Sequence, residues 1–176
     1  MATINVTNDQ KIKIQPILSA SSGINSAETV IGGASNAIPP NFLKAGQNIK
    51  VTILGTCTSS ATNASTFALR VGPLGTVSDA VAATCTACTA AASGTAVPFK
   101  VTYDLTVRTV GAAATLYGSC TVLNTGVTGL SDAAVKVTAF TASAFDSTAT
   151  NFWMPTYVAA ASTTTCTFQN VIFEII

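Results

Sequence analysis

The sequence predicts an all-β chain, an antiparallel β-sandwich or jelly roll preceded by an extended N-terminal arm. Three observations predict it. The first is the stretch Val97 to Val110, in which Val97, Phe99, Val101, Tyr103, Leu105 and Val107 alternate with Lys100, Thr102, Asp104, Thr106 and Arg108. Successive side chains of a strand point to opposite faces, so this period of two marks a long central strand with one core face and one polar face. The second is the recurrence of short alternating runs separated by Gly, Pro and Asn turn signals. The third is that no stretch carries apolar residues at i, i+3, i+4 and i+7 over three turns, as an amphipathic helix requires.

Taken in order, residues 1–27 read as the arm and residues 28–176 as the jelly-roll domain. In the arm Ile4, Val6, Ile12 and Ile14 alternate weakly before Pro16 and a Ser/Gly cluster interrupt them. Such a segment can add a strand to a neighbour's sheet edge, because a lone strand satisfies its backbone only by pairing. A disordered terminus is the other reading. Glu28 to Ile31 is a brief strand ended by Gly32-Gly33, and Pro39-Pro40 cannot sit inside a sheet because two amide donors are lost there. Phe42 and Leu43, just beyond, are expected to plug the core.

Asn48 to Thr58 is a strand with Ile49, Val51 and Ile53 on one face and Gly55 marking a bulge or bend. Ser65 to Gly72 turns Phe67, Leu69 and Val71 inward and Arg70 outward, then Gly72-Pro73-Leu74-Gly75 reverses the chain. Thr76 to Cys85 is its expected partner strand, and Thr86 to Thr95 a loop. After the central strand, Val110-Gly111-Ala112 leads into Ala113 to Leu123, the best hairpin in the chain. Ala134 to Phe140 is a further strand, and Phe152-Trp153-Met154 a short run stopped by Pro155. Ser162 to Ile176 is a strand pair or one bent strand. Its end, IFEII, is apolar on both faces, so it lies between two layers or under another subunit.

Composition narrows the function. The 176 residues carry eight Lys or Arg, seven Asp or Glu and no His, so 9% are charged against about 25% in ordinary soluble proteins. A mean hydropathy of +0.51 agrees. So few charges point to a surface partly buried by other subunits. A net charge of +1 without any basic run gives no footprint for nucleic acid. The N-terminus lacks a basic region followed by an apolar one, and no run of about 18 apolar residues occurs, so neither a signal peptide nor a membrane partner is expected.

Five cysteines include one C-x-x-C, Cys85 to Cys88, but zinc would need two more ligands and no histidine exists. No helix start follows Cys85, which disfavours a redox motif. The pattern reads Cys57, Cys120 and Cys166 as small buried hydrophobes on strands, with a Cys85–Cys88 loop disulfide as the alternative. Without histidine, Ser-His-Asp and Cys-His nucleophiles are excluded. The seven carboxylates stand apart in the sequence, and no phosphate-binding glycine pattern is present, so the chain reads as a non-enzyme with no cofactor. Most aromatics follow strand periodicity and read as core. Trp153 with Tyr157, beside Pro155, is the one cluster expected to form a carbohydrate-contacting or inter-subunit surface.

Four stretches taken together, Glu28 to Ser59, Ser65 to Thr76, Val97 to Cys120 and Thr165 to Ile176, resemble small jelly-roll structural proteins of tailed-bacteriophage virions. The resemblance lies in the IPPNFLKAG corner, the ALRVG strand with its Gly turn, the FKVTYDLTVR strand and the apolar C-terminal strand. It implies a TNF-like, homotrimeric domain that decorates or cements a capsid by clamping neighbouring subunits, with the major capsid protein or other virion proteins as partners. The implied location is the particle surface, after synthesis in the host cytoplasm. The same class includes receptor- or glycan-binding knobs and collars of fibres and tails, for which Trp153 and Tyr157 are the candidate contacts. The Cys85 to Cys88 insertion and Thr141 to Tyr157 depart from the pattern.

Overall fold

The computed structural model describes residues 20–21, 27–31, 36–59, 63–85, 88–90, 94–124, 136–141, 145–159 and 164–176. Among the described residues it is all strand and turn. The strands are β1 (Ala20–Ser21), β2 (Thr29–Val30), β3 (Ala37–Ile38), β4 (Asn48–Ser59), β5 (Asn63–Gly72) and β6 (Ala80–Thr84), followed by β7 (Cys88–Ala90), β8 (Gly94–Thr109), β9 (Thr115–Asn124), β10 (Lys136–Thr141), β11 (Asn151–Val158) and β12 (Thr164–Ile175). One sheet runs β1-β12-β4-β8-β9-β10 and the other β2-β11-β5-β6, with β3 also on β11 and β7 on β5. Every pairing is antiparallel. The long pairs are nested along the chain: β4 with β12, β5 with β11, and β8 with β9. A folded-over ribbon of this kind makes a two-sheet sandwich.

The sheets meet through the inward residues that the alternation identifies. Phe99, Val101, Tyr103, Leu105 and Val107 of β8 are buried with Ile49, Val51 and Ile53 of β4 and Phe67, Leu69 and Val71 of β5. Aromatic rings bridge the layers: Phe67 lies 5.4 Å from Phe99, Tyr157 5.5 Å from Phe168, and Trp153 5.8 Å from Phe173. The Tyr157–Phe168 and Trp153–Phe173 pairs are edge-to-face, a geometry that adds to the burial itself. Leu43 enters the same core and Phe42 packs against it, as expected from the corner they occupy.

Three expectations change. First, β11 continues through Pro155 to Val158. The Pro155 carbonyl accepts from Ile31 N at 2.8 Å, so this residue turns its backbone toward β2 just where that two-residue strand has ended, and the missing N–H breaks no ladder bond with β5. Second, the partner strand of β5 is only Ala80–Thr84, because residues 73–79 form an ordered loop; the expected loop 86–95 contains β7 and the start of β8. Third, the cysteines are cross-linked. Cys57 and Cys166 face each other across β4 and β12 with Cα atoms 4.2 Å apart and form a disulfide, and Cys85 is bonded to Cys120, not to Cys88. The second bridge ties the end of β6 to β9 and so links the two sheets.

β12 is one strand with a register shift between Phe168 and Asn170, opposite Gly55. A Cβ at Gly55 would lie 2.4 Å from the Thr167 carbonyl and 2.7 Å from the Phe99 ring, so glycine is required by close approach. Ile4, Val6, Ile12 and Ile14 lie outside the described residues. Of the segment 1–27, β1 pairs with β12, Ala20 opposite Thr167 and Ser21 opposite Cys166.

Candidate ligand-contact surface

Trp153 and Tyr157 do not form an exposed site. Both point into the sandwich and are almost wholly buried, because odd positions of β11 face the core. Trp153 packs edge-on against Phe145 and Phe173, while the Tyr157 hydroxyl lies 3.1 Å from Ser65 Oγ and 3.2 Å from Cys166 Sγ. Sequence periodicity pairs an aromatic with its neighbours but cannot say which sheet covers it.

Two surfaces remain. The first is the outer face of the β12-β4-β8-β9 sheet, which carries the polar residues that alternate with the core. Register sets them in rows: Glu174, Lys50, Asp104 and Ser119 in one, Ile172, Thr52, Thr102 and Thr121 in the next, and Asn48, Thr106 and Tyr117 at the end. Lys50 Nζ stands 3.8 Å from Asp104 Oδ1, with both side chains about half exposed. Thr106 Oγ1 donates to Asn48 Oδ1 at 2.8 Å. Arg108 places its guanidinium 5.2 Å from the centre of the Tyr117 ring, and that ring stays 48% exposed. A depression of about 340 Å³ is lined by Asn48, Lys50, Asp104, Thr106 and Ile176 among others, of which Thr106 is the register partner of Tyr117. Strand pairing fixes the backbone under all of these groups, so the surface is preorganised. Chemically it offers a carboxylate, an ammonium, an amide and hydroxyls beside one flat ring.

The second surface is the loop between β5 and β6. Asp79 is buried, yet its carboxylate accepts from Leu74 N at 3.1 Å, Gly75 N at 2.7 Å and Thr76 N at 3.3 Å. Gly75 has φ of +70°, which the turn needs and other residues adopt reluctantly. Arg70 Nη1 donates to the Asp79 carbonyl at 2.5 Å, and the same guanidinium donates through Nε and Nη2 to both oxygens of Glu28, which also accepts from Thr156 Oγ1. The Arg70 guanidinium holds the Glu28 carboxyl below the ordinary carboxylate range, although burial alone would push it up. The outcome is a rigid loop that leaves Leu74 62% exposed, with Val77 and Val81 beside it. Sequence reasoning placed the turn but missed Asp79, whose signal is an Asp four residues after the turn glycine.

Among the described residues no three His, Cys, Asp or Glu side chains gather where a metal ion could be held. No protein-family model and no curated protein matches the chain. Among solved structures, the CBM2 module of the evolved Dit protein of Lactobacillus casei BL23 phage J-1 aligns at 10% identity over 78% of this chain, with a TM-score of 0.34. The alignment spans 66% of that module's own length. A likeness of that degree establishes neither a shared fold nor a shared ligand.

Proposed function

We propose that this chain is a non-enzymatic structural protein of a tailed-phage particle, a β-sandwich displayed on the particle surface. The observation that carries the reading is the Asp79-held loop. A buried carboxylate fixes the backbone of residues 74–76 while Leu74 stands out in water, which offers a docking surface a rigid apolar anchor. The sparse charge of the whole chain and its resemblance to small virion jelly rolls support the same reading.

In the first form of this reading the protein decorates or cements the head. It clamps neighbouring copies of the major capsid protein, as a homotrimer, and its binding energy opposes lattice opening. Residues Ile4, Val6, Ile12 and Ile14 then serve as a strand-addition arm. The second form is a receptor- or glycan-binding knob or collar. With Trp153 and Tyr157 buried, this form moves to the outer sheet face, where Tyr117 is exposed and Asn48, Lys50, Asp104 and Thr106 line a depression. Quantitative mass spectrometry of purified particles separates the forms: hundreds of copies indicate decoration, a few tens or fewer indicate a fibre or tail position. Particles without the protein that kept full resistance to heat and osmotic shock would rule out cementing.

A further inference from the structure

We infer that the outer face of the β12-β4-β8-β9 sheet holds a subsite for a neutral saccharide, with Tyr117 as the stacking platform and Asp104, Lys50 and Asn48 as the hydroxyl-reading groups. This deepens the second form of the proposed function and rests on it.

The chemistry of the face selects the ligand. A sugar ring has one apolar side, whose C–H bonds carry partial positive charge and settle on the negative face of an aromatic ring. Tyr117 offers such a ring, half exposed, and the Arg108 guanidinium over it, 5.2 Å from its centre, holds the ring in place by a cation–π contact. The rim of a sugar carries adjacent hydroxyls that donate and accept at once, so its receptor must set acceptors and donors side by side. Lys50 and Asp104 do this. At 3.8 Å they are paired by charge but too far apart for a hydrogen bond between them, so the carboxylate can accept from one hydroxyl while the ammonium donates to its neighbour.

Asn48 adds to the set. Its Oδ1 already accepts from Thr106 Oγ1, which fixes the amide, and Asn48 lines the depression. Charge argues against the alternatives. The row alternates Glu174, Lys50 and Asp104, which leaves no cluster of one sign, so neither a polyphosphate nor a polycation is selected. The depression, about 340 Å³, lies within the range that accommodates small ligands, and it is open to one side, as a chain end or an internal residue of a polysaccharide requires.

The test uses the purified full-length chain on an array of neutral oligosaccharides built from glucose, galactose, mannose, N-acetylglucosamine and N-acetylgalactosamine, with hits measured by calorimetry. We expect at least one to bind. Tyr117→Ala should weaken that binding at least tenfold, and Asp104→Asn, an exposed and nearly isosteric change, should weaken it several-fold while thermal melting stays unchanged. Leu74→Ala, on the other surface, should leave it unaltered. An array with no binder, or binding that Tyr117→Ala and Asp104→Asn both leave intact, overturns the subsite. Neither result touches the virion reading, because detection of the protein in purified particles does not depend on sugar binding.

Discussion

Arg70 grips Glu28 with two nitrogens, Nε to Oε1 at 2.7 Å and Nη2 to Oε2 at 2.5 Å, across forty-two residues of chain. Both side chains are less than one-fifth exposed, so this is a half-buried bidentate pair and not a solvated surface contact. It fastens the segment before β2 to β5, and the third arm of the guanidinium, on the Asp79 carbonyl, fastens the β5–β6 loop to the same point. Removing one partner strands the other charge away from water. Arg70→Met is expected to cost about 2–3 kcal/mol, read as a shift in the urea midpoint without a change in slope.

The same pair sets an acid limit. The Glu28 pKa is lowered in the folded chain, chiefly by Arg70, so its contribution is complete above the unfolded value of about 4.3 and disappears as the pH falls through the lower folded value. Stability should therefore stay level from neutrality to about pH 5 as far as this group is concerned, and fall below that. Glu28→Gln should be less stable at pH 7 and lose less on acidification. Thermal melts of the two proteins from pH 7 to pH 3 check this; parallel curves would show that Glu28 carries no such linkage.

Tyr103 sits at the centre of β8, wholly buried, and its hydroxyl has no hydrogen-bond partner. Burial accordingly pushes that hydroxyl well above the ordinary tyrosine range. A buried polar group without a partner costs stability, so Tyr103→Phe should be neutral or stabilising by about 1 kcal/mol, where most core changes destabilise. Gly118→Ala is expected to behave oppositely. A Cβ there would meet the Asp104 carbonyl at 2.2 Å and Leu105 Cα at 2.9 Å, backbone atoms that cannot step aside. Urea unfolding of both variants gives the two signs.

The alternation of residues 99–107 named the core face of β8 correctly, because a period of two leaves only two ways to place a strand and one of them buries Lys100, Asp104 and Arg108. The hairpin with β9 was equally readable, since a short Gly111 turn joins two alternating runs. What could not be read was anything that depends on which strands far apart in the sequence meet. Cys57 and Cys166 are bridged because β4 and β12 pair with those residues opposite, 109 positions apart. The burial of Trp153 and Tyr157 depends likewise on the other sheet. The candidate face is a product of register too: Lys50, Asp104 and Tyr117 come from three strands and have no spacing in common.

The cross-links carry a further expectation. Bridges closing 109 and 35 residues restrict the unfolded chain strongly, and reduction of both should lower stability by several kcal/mol, on the order of 4 for each bridge by loop length alone. Melting with and without a strong reductant reads this. Of five cysteines two pairs are bridged, so titration of the unfolded, unreduced protein should give one thiol per chain, at Cys88.

The central claim is that the chain is a surface component of a phage particle. Immunogold labelling of gradient-purified particles of the phage that encodes it, read by electron microscopy, tests this most directly. The account predicts gold at regular positions on the particle exterior and the protein present at fixed stoichiometry in the same fractions. Unlabelled particles that contain none of the protein would contradict it.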